Sequence, residues 1–242
     1  MPDATATRRR RKGCRFKMAR RLPKQLALPT PPTWGGRRDG AGRNSSKLRP
    51  DVPHTTRLPH NPGHPVHVTL RATRGLRSLR SERTFLPLAR ALGLARSDAF
   101  RVVHFSVQTD HVHLIVEADS GDALRRGLNS LNCRAARALN RAWQRSGPIW
   151  GDRYHARALA TPREVRNGLV YVLLNFRKHL RAPAAVDPCS SGAWFDGWAH
   201  NHERPSQPSP VAPPRTWLGT VGWRRAGGFV STEEMPGAKL PR

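Results

Sequence analysis

The sequence predicts an α+β fold, a ferredoxin-like antiparallel sheet with packed helices, over residues 61–181. A disordered basic arm (residues 1–60) precedes it and a mostly irregular tail containing Pro and Trp (residues 182–242) follows. Three observations carry this reading. Apolar residues switch between period two and period 3.6 in the order β-α-β-β-α-β-α, the split arrangement of that fold. The second and third strands are separated only by Gln108, Thr109 and Asp110, which makes them a hairpin. The periodicity also stops at the flanks: residues 1–60 hold eight Pro, sixteen Lys or Arg and three acids, with no sustained apolar period.

Each element has its own signal. Val66, Val68 and Leu70 alternate with His67, Thr69 and Arg71, the pattern of a half-buried strand. From Arg83 to Leu94, Phe85, Leu88, Ala89 and Leu92 share one helical face, with Gly93 near the end. Phe100 to Val107 and His111 to Glu117 are the hairpin strands. Asp119 or Ser120 can cap a long helix from about Asp122 to Arg145, whose apolar stripe is Leu124, Leu128, Leu131, Ala135, Leu139 and Ala142. Gly147 and Pro148 end it, and Ile149 to Leu159 forms a fourth strand. Thr161-Pro162-Arg163-Glu164 is a capping box with Pro at the first helical position. The helix it starts runs to about Leu180 and buries Val165, Leu169, Val172, Phe176 and Leu180. In the tail, Trp194, Phe195, Trp198, Trp217 and Trp223 are unusual for pure disorder; the reading favoured is a loosely packed segment, parts of which dock on the core or on stacked bases.

Composition bounds the function. Of 242 residues, 43 are Lys or Arg against 16 Asp or Glu, a net charge of +27, and 37 of the 43 are Arg. Arginine pairs bidentately with phosphate, so the excess points to a polyanion, most simply nucleic acid. Cys14, Cys133 and Cys189 form no CxxC pair, which supports neither a zinc ribbon nor a disulfide framework. The longest apolar run, Leu169 to Phe176, is broken by Asn175 and too short to span a bilayer. No apolar stretch follows the basic residues 8–12, so they are not a secretory signal. The expectation is a cytoplasmic protein with no membrane partner.

Two constellations could carry chemistry. His111 and His113 lie two apart in a strand and so share a face, where paired imidazoles can hold one divalent metal. On the last helix, Tyr171, Asn175 and Lys178 follow one stripe. Attack on a phosphodiester needs such a set: a tyrosine nucleophile, a carboxamide as third metal ligand, and a cation near the phosphate. Read blandly, Tyr171 is a core-edge aromatic and Asn175 a surface amide. Arg134, Arg137, Arg141 and Arg145 line another face of the long helix and, with few acids to pair with, are expected to contact DNA phosphates. Trp143, Trp150 and Tyr154 are candidate stacking surfaces for bases.

The ordered set, Asp110-His111-Val112-His113-Leu114, a long helix, a Trp-containing strand and Tyr-x-x-x-Asn on a helix, resembles the IS200-like transposases. These are single-tyrosine HUH endonucleases, and the likeness is greatest to the REP-associated tyrosine transposases. Residues 67–71 and 147–154 also look like strand segments of that family. The resemblance implies Mg²⁺ or Mn²⁺ held by His111, His113 and Asn175. It implies attack by Tyr171 on single-stranded or hairpin DNA, leaving a 5′-phosphotyrosine and a free 3′-OH, in transposition or REP-element processing. A bacterial, nucleoid-associated enzyme is implied, either a monomer or a homodimer with exchanged catalytic helices. Asp110 stands where the family commonly has Asn, and Leu-Asn-Phe-Arg-Lys stands where it often has Asn-Pro.

Other readings remain open at this point. A replication initiator or relaxase would usually add a helicase or a second tyrosine, and no Walker phosphate-binding run is present. A non-catalytic basic nucleic-acid binder would make His111, His113 and Tyr171 structural. A zinc hydrolase would need a carboxylate base, and Glu117 sits four residues along the strand from His113, roughly 13 Å away.

Overall fold

Strands β1 (Val66–Arg71), β2 (Phe100–Val107), β3 (His111–Ala118) and β4 (His155–Ala158) form one sheet in the order β2-β3-β1-β4, every pairing antiparallel. In this computed structural model the described residues are 59–180 and 185–237, the side chains of 178–180 excepted. They belong to one compact unit, Leu48–Arg242, and the predicted basic arm lies outside them up to residue 58. Helices α1 (Glu82–Gly93) and α2 (Gly121–Trp143) pack together on one face of the sheet, and α3 (Pro162–Leu180) packs on the other. The architecture is α+β and ferredoxin-like, with α3 as an additional layer.

Strand periodicity decides which residues meet which layer. Val66, Val68 and Leu70 of β1 and Val112, Leu114 and Val116 of β3 point into the core under α1 and α2. Their alternates, His67, Thr69 and Arg71, His111, His113, Ile115 and Glu117, therefore face the α3 side. In β2, a register shift between Val102 and His104 lets Phe100, Val102, Phe105 and Val107 all enter the first core, while Val103 joins the second. With both faces covered, every residue of β2 and β3 is buried.

Two expectations need correcting. The fourth strand is shorter than Ile149–Leu159: only His155–Ala158 pairs with β1, while Trp150 makes a separate bridge to Ala72. Gly147 at φ 101° and the bends at Gly151 and Asp152 interrupt the ladder. The tail, for its part, is irregular in secondary structure but not loosely packed. Phe195, Trp198, Leu218, Trp223 and Val230 are buried with α3 in the second core. The cause is α3 itself, which buries Val170, Leu173 and Leu174 as well as the predicted Val165, Leu169, Val172 and Phe176. A sheet face cannot cover that much of a helix, and the tail covers the rest.

Side chains and backbone fasten the tail down. Cys189 O accepts from Val107 N and Phe105 O accepts from Ser191 N, so the open edge of β2 is paired. Asp187, fully buried, accepts both ends of Arg80 at 2.9 and 2.7 Å. Glu117 of β3 accepts from Arg215 N at 2.7 Å and from Thr216 N and Oγ1 at 3.2 and 2.7 Å. Arg166 of α3 donates two 2.8 Å bonds to Glu234.

His104 of β2 packs its ring edge on Phe195, and its Nδ1 lies 3.3 Å from Ser191 Oγ. Burial, only partly opposed by Asp196, pushes this histidine down to about 4. An unfolded histidine titrates near 6.5, so below that pH the unfolded chain binds a proton that the folded one refuses. Stability is therefore complete above about 6.5 and is lost as pH falls toward 4. Going from pH 7 to pH 5 should remove about 2 kcal/mol through His104. Urea unfolding at the two pH values should register that loss, and His104→Gln should shrink it; an unchanged difference in the variant would contradict this origin.

Candidate active site

The α3-facing surface of β1 and β3 carries a run of imidazoles. Thr69 and His113 are directly opposite in register, and Thr69 Oγ1 lies 3.1 Å from His113 Nδ1. His67 Nε2, one step diagonal on β1, lies 3.2 Å from the same nitrogen. The rings of His111 and His113 meet edge to face with centroids 4.7 Å apart. Helix α3 brings the remaining partners. Its start is fixed by the predicted capping box, with Glu164 N donating to Thr161 Oγ1 (3.2 Å) and Ala160 N donating to Glu164 Oε2 (2.9 Å). From there the helical phase puts Asn175 Nδ2 3.1 Å from His113 Nε2 and the Tyr171 ring 5.0 Å from that of His113. His111, His113, Asn175 and Tyr171 thus converge from two elements.

The hydrogen bonds define which nitrogen of each ring faces the site. An amide NH₂ only donates, so His113 Nε2 accepts from Asn175 and its Nδ1 carries the hydrogen toward Thr69 and His67. His111 Nδ1 lies 2.6 Å from Asp110 Oδ1, which orients that ring. Partial burial tends to raise the Asp110 carboxyl, but its bond to His111 and the charges of His111 and Arg71 outweigh this and hold it below its ordinary value. Burial, reinforced by the charges of His155 and Arg157, pushes His67 down to about 4, so it stands neutral beside His113 at neutral pH.

Do these residues fit a divalent cation? No group of three or more His, Cys, Asp or Glu suited to a metal exists among the described residues, so a third ligand beside the histidine pair has to be of another type. Asn175 is 1% exposed, an amide buried mid-helix among Val172, Leu173, Leu174 and Phe176, and aimed at a histidine nitrogen. Turning the amide over would present its oxygen where the NH₂ now points. The 3.1 Å between Asn175 and His113 is close to the roughly 3.0 Å separating adjacent ligands of an octahedral ion with bonds near 2.1 Å. The donor set of two imidazoles and a carboxamide therefore fits a small divalent ion.

Comparison with known proteins adds a likeness over part of the chain. Residues 83–167 match the family model described as Transposase IS200 like. This stretch is similar to the IS200-like transposases, over about a third of the chain. It runs from α1 into the first turns of α3, holds His111 and His113, and stops short of Tyr171 and Asn175, whose places rest on the geometry above. A solved structure of a REP-associated tyrosine transposase bound to a REP hairpin is also similar, with 20% identity and a TM-score of 0.44 over 53% of this chain and 74% of that one. No curated protein matches the sequence.

The other predicted residues fall elsewhere. Arg134, Arg137 and Arg141 are exposed on α2, across the sheet from Tyr171. Half-buried Arg145 lies just past the end of α2, which stops at Trp143 and not at the predicted Arg145 because Gln144 turns left-handed at φ 52°. Arg134 bonds Ser130, Arg137 bonds the Cys133 carbonyl and Arg145 bonds the Pro148 carbonyl; none of the four makes an ion pair among the described residues. The structure does not bring this row to the histidines. The Lys178 side chain lies outside the described residues. Trp143 and Tyr154 are buried in the first core and Trp150 is half-buried with its Nε1 bonded to the Asn132 carbonyl, so none of the three is an open stacking surface. Glu117 is committed to the tail and to Arg101, so it is no free base. No helix among the described residues is long and apolar enough to cross a membrane.

His67, Thr69 and Asp110 are site residues to which sequence reasoning gives no role. The alternation in β1 does put His67 and Thr69 on its polar face. What it lacks is the information that β1, forty residues away, lies beside β3.

Proposed function

We propose that the chain is a transposase-type DNA-processing enzyme that cuts one strand of single-stranded or hairpin DNA by attack of Tyr171 on a phosphodiester. The observation that carries this reading is the meeting of Tyr171 and Asn175 with the His111–His113 pair across the β3–α3 contact. The Tyr171 oxygen forms a bond to phosphorus, the bond to the 3′-oxygen breaks, and that oxygen leaves with the electron pair and takes up a proton. The product is a 5′-phosphotyrosine with a free 3′-OH, and because the linkage keeps a phosphodiester bond, rejoining to another 3′-OH needs no nucleotide cofactor. Mg²⁺ or Mn²⁺, held by His111, His113 and Asn175, would polarise the phosphate and stabilise the departing oxygen. Asp110, His67 and Thr69 fix the ring orientations of the two histidines, and the partial exposure of Tyr171, at 36%, leaves its hydroxyl open to a strand. Whether this takes place in a monomer or in a dimer with exchanged helices does not alter the assignment of roles.

The test is covalent capture. Full-length protein incubated with Mn²⁺ and a labelled single-stranded or hairpin oligonucleotide should give a labelled band at the protein's position on a denaturing gel. The band should vanish in excess EDTA and be far weaker with fully paired duplex. DNA binding with no adduct under any of these conditions would reject catalysis and leave a basic binding protein.

A further inference from the structure

Tyr171 opens onto a groove of about 1260 Å³ that begins at His67 and Thr69 and is lined by α3, β4 and residues 227–237 of the tail. One wall is a stripe of α3: Arg163, Asn167 and Tyr171, all exposed and each four residues from the next. Four residues rise about 6 Å along a helix, a step comparable to that between successive phosphates of an extended strand. Two carboxylates also line the groove, but both are committed: Glu164 to Arg157 and to Ala160 N, Glu234 to Arg166 and to Ser231 N. Arg163 makes no ion pair among the described residues, and its charge faces the groove.

The tail lines the groove with an exposed aromatic, Phe229, and with exposed Met235. Phe229 is not on a loose turn. Buried Arg166 donates to the carbonyls of Gly228 (3.2 Å) and Phe229 (3.0 Å) while paired to Glu234, and Val230, next in the chain, is fully buried. Gly227 and Gly228, at φ 127° and 69°, make the close turn, and a Cβ on Gly227 would meet Arg166 Nε at 3.0 Å. Arg224 stands 5.8 Å from the ring centroid. A rigid backbone thus holds an aromatic ring 54% open to solvent in a chain of net charge +27.

We propose that this groove is the track for a single-stranded flank of the DNA substrate, with a phosphate on Arg163 and a base stacked on Phe229. The proposal rests on the catalytic reading for its orientation, since the track ends at Tyr171. It moves the strand contact from the α2 arginines to the α3 side of the sheet. Aromatic stacking tolerates any base and requires an unpaired one, so Phe229 should discriminate single strands from duplex and not one sequence from another.

The experiment measures binding of fluorescein-labelled single-stranded 20-mers, and of the same sequence as duplex, to full-length protein by anisotropy. Phe229→Ala should weaken single-strand binding about tenfold and duplex binding less than twofold. Phe229→Leu, which keeps apolar bulk at the turn, should behave like Ala, and Phe229→Trp should restore binding. Arg163→Ala should lower the slope of log K against log salt by about 1. Leu86→Ala, an exposed apolar residue on α1, should change nothing. Thermal unfolding identifies any variant that fails to fold, in which case the Leu and Trp variants decide. Single-strand binding within twofold of wild type for both Phe229→Leu and Arg163→Ala overturns the track. If that happens while wild type still forms its adduct, the catalytic reading survives alone. If the variants lose single-strand binding and wild type forms no adduct, the track stands and the catalytic reading falls.

Discussion

Tyr171→Phe yields a folded protein that binds single-stranded DNA as the wild type does and forms no covalent adduct. The substitution removes one oxygen and keeps the ring, so the edge contacts to His113 and His67, with centroids 5.0 and 5.5 Å away, are retained. Tyr171 is 36% exposed and its helix is anchored by Val172, Leu173 and Leu174, all fully buried, so the change in stability should stay within about 1 kcal/mol. Against that small structural effect stands a complete loss of the nucleophile, which should bring adduct formation down to background. The chain simplifies the interpretation because it has only two tyrosines. The other, Tyr154, is 9% exposed in the first core, on the far side of the sheet from α3. Denaturing gels of both proteins with labelled oligonucleotide and Mn²⁺ give the comparison. An adduct of undiminished yield in the Phe variant would assign the chemistry to another residue and remove the reason for placing Tyr171 beside the histidines.

The elements legible in the sequence are those whose signals are local. The capping box at Thr161–Glu164 set the start of α3 correctly, and the alternation of Val66, Val68 and Leu70 set the face of β1. The His-x-His spacing put both rings on one side of β3, and the four-residue interval put Tyr171 and Asn175 on one side of α3. What local pattern cannot supply is which strand lies beside which. His67 and Thr69 read as the polar half of an ordinary strand until the order β2-β3-β1-β4 sets them against His113. The same gap hides the separation of the α2 arginine row from the site, because a charged helical face looks alike on either side of a sheet. The packing of the tail is hard to read from the sequence for a different reason. Its low periodicity and nine prolines resemble an unstructured segment, yet Phe195, Trp198 and Trp223 supply the apolar area that α3 leaves uncovered, and aromatics can do so without regular secondary structure.

Glu117→Ala should cost about 3–5 kcal/mol, the effect expected when one member of a buried pair is removed and the other is left uncompensated. Glu117 is 1% exposed and Arg101 is 4% exposed, with 3.3 Å between them. The same carboxylate takes the hydrogens of Arg215 N, Thr216 N and Thr216 Oγ1, so its removal strips a buried guanidinium of its buried counter-charge and leaves three further donors unmet. Among the described residues, Arg101 then keeps the Asp98 carbonyl and exposed Asp119. Domains of this size are stable by about 5–15 kcal/mol, so roughly a fifth or more of the total hangs on one side chain. Glu117→Gln separates charge from shape: its oxygen can still accept from Thr216 N and Oγ1, but its NH₂ meets Arg101 and Arg215 N, so the loss should be smaller and still well above about 1 kcal/mol. Urea unfolding measures both. The two-layer core also sets how the loss appears. Trp223 and Leu218 follow directly on the residues that Glu117 holds, and they cover α3. If the tail is an integral layer, the variant unfolds in one transition at lower urea, because baring α3 removes the support of the sheet face beneath it. If the tail is a detachable strap, a first transition releases residues 215–230, seen as early loss of tryptophan fluorescence, and the sheet unfolds later at the wild-type midpoint. Burial of Trp223 at 1% exposure favours the single transition, and a midpoint within the error of wild type would show that Glu117 does not hold the tail at all.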